Sequence, residues 1–329
     1  LRTYGDQFYI FRMQALWAFL GFLAMGFFTL FDHRRLYRFS FFFMAVSLFL
    51  LVLVIIPGIG IGAKGASRWL GISAFVFQPS EITKLAMIIY LSGWFYQREQ
   101  LPSFPFLIFC AILVGLMMAQ PDMGTAFILL SSAIAVFFAA GAPIWVFLLI
   151  LPLVGAGGMI FIAHSPYRLQ RLLAFLNPNF DPGNASYHLN QILLAFGSGG
   201  LFGLGFGFSR QKFAYLPEAA TDSIFPIIAE EFGFIAAAFL VLFFLFFIFR
   251  GFKIAVNAPD RFGFLLAFGI TFWLGIQTFV NLGAMVVLFP LTGVPLPFIS
   301  YGGSAIVTEL AACGILLNIS RFPARKKKK

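Results

Sequence analysis

The chain has 329 residues, 61% of them hydrophobic and 10% charged, with a mean hydropathy of +0.95 and a formal net charge of +10. A soluble domain carries about 25% charged residues, and no aqueous fold hides this much apolar surface, so a water-soluble globule is excluded and lipid must be the solvent. The basic residues are split among separate segments with no binding motif beside them, which argues against a nucleic-acid partner. Cys110 and Cys313 both lie within apolar runs and suggest no disulfide framework.

A bilayer core about 30 Å thick needs roughly 20 apolar residues per helix. In chain order the apolar runs are 13–31, 39–57, 82–96, 104–119, 124–140, 143–163, 223–249, 262–289 and 303–320. They are continuously apolar instead of alternating, which predicts helices and not a β-barrel. The expected fold is an all-α polytopic transmembrane bundle of about nine spans, with residues 1–329 forming a single integral membrane domain. If segment 1–12 lies outside, Arg34, Arg35 and Arg38 fall inside, as do Arg98, then Arg250, Lys253 and Arg261, and the tail from Arg321 to Lys329. That is the positive-inside pattern, and such inner basic residues also meet anionic lipid. It places 58–81, 120–123, 164–222 and 290–302 on the outer face. Lys64, Arg68, Arg168, Arg171, Arg210 and Lys212 then stand outside and need a separate explanation.

Segment 164–222 interrupts the series of spans. Loops beyond about 12 to 15 residues usually carry function or are disordered, and this one holds Tyr167, Phe175, Tyr187, Phe202, Phe213 and Tyr215. Leu189, Ile192, Leu193 and Phe196 recur at helical spacing, predicting a short interfacial helix over 186–196. Gly197, Gly199, Gly200, Gly203, Gly205 and Gly207 follow, and permit sharp turns or close approach to a ligand.

Ionisable groups in or beside membrane spans are costly, so each is a functional candidate. Gln78-Pro79-Ser80-Glu81 reads as a helix start, and Glu81 and Lys84, at i and i+3, share a face as an ion pair or as the wall of a polar cavity. Asp122 stands at the mouth of another span with the same ambiguity. Asp222 opens the most apolar helix, either as an N-cap or as a general base; both hold only if Thr221 does the capping. Glu230 and Glu231 lie deeper on that helix, where buried hydrogen bonding or ion pairing is favoured over catalysis. Neighbours about 100° apart on a helix are not expected to reach the same polar partner. Glu81, Asp122, Glu218 and Asp222 map to one outer level with Arg68, Arg210 and Lys212, which points to a water-accessible site there; an ion-coupled transporter would place its charges nearer the midplane. Phosphate loops, dinucleotide fingerprints and zinc spacings are absent, and His33, His164 and His188 are scattered.

Several motifs together carry a family resemblance: Arg68-Trp69-Leu70, Phe77-Gln78-Pro79-Ser80-Glu81, Gln120-Pro121-Asp122-Met123-Gly124-Thr125, Gly197-Ser198-Gly199-Gly200, Tyr215-Leu216-Pro217-Glu218, Thr221-Asp222 with Ala229-Glu230-Glu231, and Leu296-Pro297-Phe298-Ile299-Ser300-Tyr301-Gly302-Gly303-Ser304. From about residue 4 to 320 the chain resembles the SEDS family of bacterial cell-wall proteins, the FtsW and RodA group. The resemblance implies ten spans, of which the first is missing here. Ser209-Arg210-Gln211-Lys212 looks more like the division-type FtsW branch than the elongation-type RodA branch. The family commonly has His immediately before Thr-Asp, where this chain has Ala220, so that imidazole is missing or its role is taken over elsewhere.

The activity implied by the resemblance is peptidoglycan glycosyltransfer on lipid II, at the outer face of the bacterial cytoplasmic membrane. Asp222 is the expected general base and undecaprenyl pyrophosphate the leaving group, with inversion. Arg68, Glu81, Lys84, Asp122, Arg210, Lys212, Glu218 and Ser300 are the expected substrate-binding residues. Mg²⁺ or Mn²⁺ is an expected cofactor, although no metal cage is visible in the sequence. Implied partners are a single-span class B penicillin-binding protein with transpeptidase activity and other divisome or elongasome proteins. The alternatives are a lipid II flippase, or a scaffold that only positions the transpeptidase.

Overall fold

The computed structural model describes residues 8–63, 66–72, 75–98, 101–177, 185–212 and 216–322. Lys64, Phe213, Tyr215 and the Lys326–Lys329 run lie outside the described residues. Helices α1 (Tyr9–Leu30), α2 (His33–Ile55), α3 (Pro79–Tyr96), α4 (Ser103–Ala119), α5 (Met123–Ala139), α6 (Ile144–Ala163), α9 (Ile224–Val256), α10 (Arg261–Met285) and α11 (Gly303–Ser320) each overlap one of the expected apolar runs, with α2 starting six residues earlier and α9 ending seven later than expected. Within the long loop lie α7 (Pro166–Leu176) and α8 (Ala185–Gly199). Among the described residues, α1, α2, α9, α10 and α11 are long and apolar enough to cross a membrane, and α4 and α5 are shorter apolar helices. Large side chains such as Phe41 and Phe239 stand 72% and 70% exposed on spanning helices, which only an apolar solvent makes stable. The chain is a multi-pass membrane protein. Within the single membrane domain expected from sequence, two compact units can be distinguished.

The first unit comprises Leu1–Ala142, Phe247–Ile276 and Tyr301–Lys329. Small residues let α1 and α11 approach closely: a Cβ on Gly314 would stand 2.4 Å from the Met25 carbonyl oxygen, and one on Gly21 2.6 Å from Leu310 Cδ1. One end of this unit gathers basic residues. Arg34 Nε pairs with Asp260 at 3.0 Å, Arg261 donates to the Ala140 carbonyl at 2.9 Å, and Arg321 to the Thr29 carbonyl at 3.3 Å. Gln120 donates to the Leu51 carbonyl, and the Gln78 amide to Ser304 Oγ, at the opposite helix ends. This alternation matches the one predicted from the basic residues.

Segment 58–81, expected as an outer loop leading into a helix start, carries regular structure of its own before α3. It folds into strands β1 (Ile61–Ala63), β2 (Ala66–Ile72) and β3 (Phe75–Phe77), antiparallel in the order β1-β2-β3, with Leu70 opposite Phe77 and Ile61 opposite Trp69. Strands this short carry too little periodicity to be read from sequence, yet their ladder satisfies backbone groups of a loop lying against an apolar surface.

The second unit comprises Pro143–Phe246 and Gln277–Ser300, with a core including Ile192, Leu216, Phe225, Ile227, Met285 and Leu296. Helix α8 buries Ser186, His188, Leu189, Ile192 and Ala195, while Leu193 is exposed. The helix expected over 186–196 therefore exists, one turn longer, and packs one face into protein. Helix α9 is broken at Gly233, whose φ of 80° and ψ of 179° leave the helix. The glycine loop repairs the break: Leu204 and Gly205 amides donate to the Glu230 and Glu231 carbonyls, and the Phe234 and Ile235 amides to Gly200 and Leu201. Gly203 and Gly233 must both lack a side chain, because a Cβ on either would fall 2.2 to 2.4 Å from the other segment's backbone.

Candidate functional site

The expected site residues fall in both units. Arg68, Glu81, Lys84 and Asp122 lie in the first, and Arg210, Lys212, Glu218, Asp222 and Ser300 in the second. Each group has its own local geometry.

In the first unit, β2 carries Arg68 to the turn before α5. Its guanidinium donates to the Gln120 and Pro121 carbonyls and lies 4.0 Å from Asp122. Asp122 caps α5, accepting from the Thr125 amide at 3.1 Å and the Thr125 hydroxyl at 2.9 Å. Glu81 and Lys84 form a 2.8 Å ion pair, both nearly fully buried, with the Lys84 ammonium 5.3 Å from the Trp273 ring centroid. Of the two readings open for this pair, the geometry gives the ion pair. Glu309, 1% exposed on α11, is a further buried acid beyond the expected site residues. Its signal was available, since it is an acid inside the apolar run 303–320.

In the second unit, Glu230 is fully buried and its carboxylate accepts from Ser198 Oγ, Ser209 Oγ and the Arg210 and Gln211 amides. Glu231 takes the Lys212 ammonium at 2.6 Å and the Ser209 amide at 3.4 Å. Both acids thus serve buried hydrogen bonding and ion pairing. The expectation that they share no partner needs correcting, because both reach Ser209, one through its hydroxyl and one through its amide. Adjacent carboxylates can do so here because the 205–212 loop crosses beside the helix break. Lys212, expected to bind substrate, has its ammonium paired with Glu231 and is partly exposed, and Arg210 is exposed. Ser300 Oγ accepts from the Leu296 amide at 2.8 Å, which makes it a turn-forming group.

Asp222 sits at the end of a tight turn. Glu218 adopts a left-handed φ of 51°, unusual for a residue with a Cβ. Its carbonyl accepts from the Thr221 and Ser223 amides, and its carboxylate from Thr221 Oγ1. Helix α9 starts at Ile224, so the cap position is Ser223 and Asp222 lies one residue before it. Asp222 is 7% exposed, and its backbone carbonyl accepts from Asn281 Nδ2 at 2.8 Å. The same Nδ2 donates to the Val294 carbonyl at 2.8 Å, so one amide of α10 ties residue 222 to the 290–300 loop. Arg171 of α7 donates to the Leu291 carbonyl at 3.0 Å, and a Cβ on Gly293 would lie 3.7 Å from Asp222 Oδ2. Burial, then the Glu218 charge, raise the Asp222 pKa from 3.8 to about 6; Arg171 and the Thr221 hydroxyl pull the other way. A carboxyl with that pKa, poised nearer neutrality than a solvated Asp, is suited to accept a proton.

Arg171, Asn281 and His188 complete the surroundings of Asp222. In the sequence Arg171 is an outer-loop cation of unassigned purpose and His188 one of three scattered histidines, while Asn281 carries no local signal. His188 Nε2 lies 2.9 Å from Ser223 Oγ, both buried, so an imidazole does stand next to the Thr-Asp segment although residue 220 is alanine.

A family model described as a cell cycle protein family, FTSW_RODA_SPOVE, matches residues 1–325. The chain belongs to this family. Stage V sporulation protein E of Bacillus subtilis (strain 168) is 42% identical, over 97% of this chain and 89% of that protein. The probable peptidoglycan glycosyltransferase FtsW of Geobacter sp. (strain M18) is 39% identical, with the same coverage of both. Among solved structures, Thermus thermophilus rod shape determining protein RodA matches with a TM-score of 0.69 at 27% identity, over 98% of this chain and 90% of that one. A chain from a peptidoglycan synthase complex that coordinates polymerization and crosslinking matches at 0.78 and 28% identity, over 95% and 89%. The all-α polytopic fold and the SEDS resemblance are both borne out.

Proposed function

We propose that the chain is a peptidoglycan glycosyltransferase that polymerises lipid II at the outer face of the bacterial cytoplasmic membrane, with Asp222 as its general base. The observation that carries this reading is the Asp222 carboxyl itself: almost buried, raised to about 6, and fixed against the 291–294 loop beside Arg171. The names of relatives sharing about 40% identity support the reaction class.

The acceptor sugar's 4-hydroxyl attacks the donor's anomeric carbon and its proton passes to the Asp222 carboxylate. The bond from that carbon to the pyrophosphate oxygen breaks, the pair of electrons leaving with undecaprenyl pyrophosphate, and the configuration inverts. One well-placed base suffices, because the leaving group is already good. Charge developing on the phosphates is met by Arg171 and Arg210, cations of the same unit. Thr221 and Asn281 orient the turn and His188 holds Ser223, so these are positioning residues. Among the described residues no three His, Cys, Asp or Glu side chains gather as metal ligands. Glu218 and Asp222, bridged by Thr221, supply two. Two carboxylates do not by themselves cage Mg²⁺ or Mn²⁺, whose coordination substrate phosphates would complete, and the steps above are routed through no metal.

The family resemblance implies a class B penicillin-binding protein as partner, and the likeness to a chain of a peptidoglycan synthase complex that coordinates polymerization and crosslinking supports a crosslinking one. The test is polymerisation of labelled lipid II by the reconstituted protein, with and without that partner. Wild-type turnover by Asp222→Ala would remove Asp222 from the mechanism, and no glycan from any preparation would return the protein to the flippase or scaffold reading.

A further inference from the structure

At its basic end, the first unit contains a cavity of about 170 Å³ lined by Arg250, Lys253, Ile254 and Asn257 of α9 and Ser320 of α11. Arg250 closes the apolar run 223–249, so the cavity opens where hydrocarbon gives way to headgroups. Other cations at this end are engaged: Arg34 with Asp260, Arg261 with the Ala140 carbonyl, Arg321 with the Thr29 carbonyl. Arg250 and Lys253, one turn apart on α9, are both exposed and pair with no carboxylate among the described residues. Two neighbouring like charges without a counter-ion favour an anion between them.

The surroundings specify what kind of anion. Phe249 and Val256 of α9, Leu317 of α11 and Phe322 just after it are 63%, 77%, 44% and 47% exposed, large apolar side chains close in sequence to the cavity's lining residues. A ligand matching both features is anionic at one end and has hydrocarbon at the other. Asn257 Nδ2 is committed to the Lys253 carbonyl at 2.7 Å, and the Ser320 hydroxyl proton to the Leu317 carbonyl at 2.8 Å. Their remaining oxygens are acceptors, which suit hydroxyls of a headgroup and not a second phosphate.

We infer that this cavity is a binding site for the phosphodiester of an anionic phospholipid, held by Arg250 and Lys253 with its acyl chains along Phe249 and Leu317. The test is native mass spectrometry of the full chain in detergent, titrated with phosphatidylglycerol or with phosphatidylethanolamine of the same acyl chains. The wild type should bind the anionic lipid preferentially. Arg250→Gln with Lys253→Gln should weaken that binding about twenty-five-fold, the product of a factor of about five for each interfacial cation. The charge-preserving Arg250→Lys with Lys253→Arg should retain it, which separates loss of charge from loss of folding. Arg35→Gln with Arg38→Gln, exposed cations that do not line the cavity, should leave it unchanged. Three results would each overturn the assignment: wild-type binding by the glutamine variant, an equal loss in the Arg35 and Arg38 variant, or displacement of the lipid by millimolar inorganic phosphate.

Discussion

Replacing Asp222 by asparagine separates a catalytic carboxylate from a structural one, because the two roles predict opposite changes in stability. The folded-state pKa of about 6 lies above the ordinary 3.8. A carboxyl raised on folding contributes stability that is fully present below its unfolded value and is lost as pH rises through about 6. At pH 7 to 8 the ionised Asp222 therefore costs the fold on the order of 3 kcal/mol, from the gap between 3.8 and about 6 at 1.36 kcal/mol per pH unit. Asparagine keeps the shape and removes the charge. Thermal unfolding in detergent at pH 7.5 should show Asp222→Asn at least as stable as the wild type, with the difference shrinking towards pH 4. Polymerisation of labelled lipid II should meanwhile fall by about 10² to 10⁴, the usual contribution of a positioned base. The wild-type kcat/KM should climb through pH 6 to a plateau, since only the carboxylate accepts a proton. A variant that is less stable at neutral pH yet keeps its turnover would refute the reasoning and make Asp222 a structural group.

Three further outcomes follow from the packing. Glu230→Ala strips four donors of a buried acceptor and should lower stability by about 3 kcal/mol or more, seen as early thermal unfolding, with activity lost in parallel. Gly233→Ala forces a Cβ to 2.4 Å from the Gly203 amide at a positive φ, so folded yield after purification should collapse while Gly115→Ala, in α4 with open space around it and no positive φ, is far milder. Removing one partner of the buried Glu81–Lys84 pair should cost about 3 to 5 kcal/mol, whereas Glu81→Leu with Lys84→Met should recover most of it; a double-mutant cycle by thermal unfolding measures this coupling, and a stable double variant without activity would give the pair a role in substrate handling.

The spans were legible because transfer into lipid depends on each segment's own composition. No neighbour was needed to place α4 or α11 within a few residues. Asp222 was legible for a related reason, since a carboxylate at the mouth of the most apolar helix is conspicuous where charge is costly. The role of Glu230 and Glu231 followed from depth alone. The partner of each did not: Lys212 reaches Glu231 across 19 residues, and both acids meet Ser209 only because α9 breaks at Gly233.

What tertiary structure alone decided lies outside the hydrocarbon, where composition constrains less. The strands of 61–77 are too short to show a period, and their pairing is a property of two segments at once. Asn281 finds the Asp222 carbonyl across 59 residues and His188 finds Ser223 across 35, contacts that no local pattern encodes. The raised pKa of Asp222 is likewise a sum over Glu218, Arg171 and burial, none of which has a value until the chain has closed around it. Sequence thus determined where the chain crosses lipid and which acid stands at the boundary, because hydropathy acts residue by residue. Which groups surround that acid was settled by folding, because electrostatics and hydrogen bonding act between residues brought together from far apart.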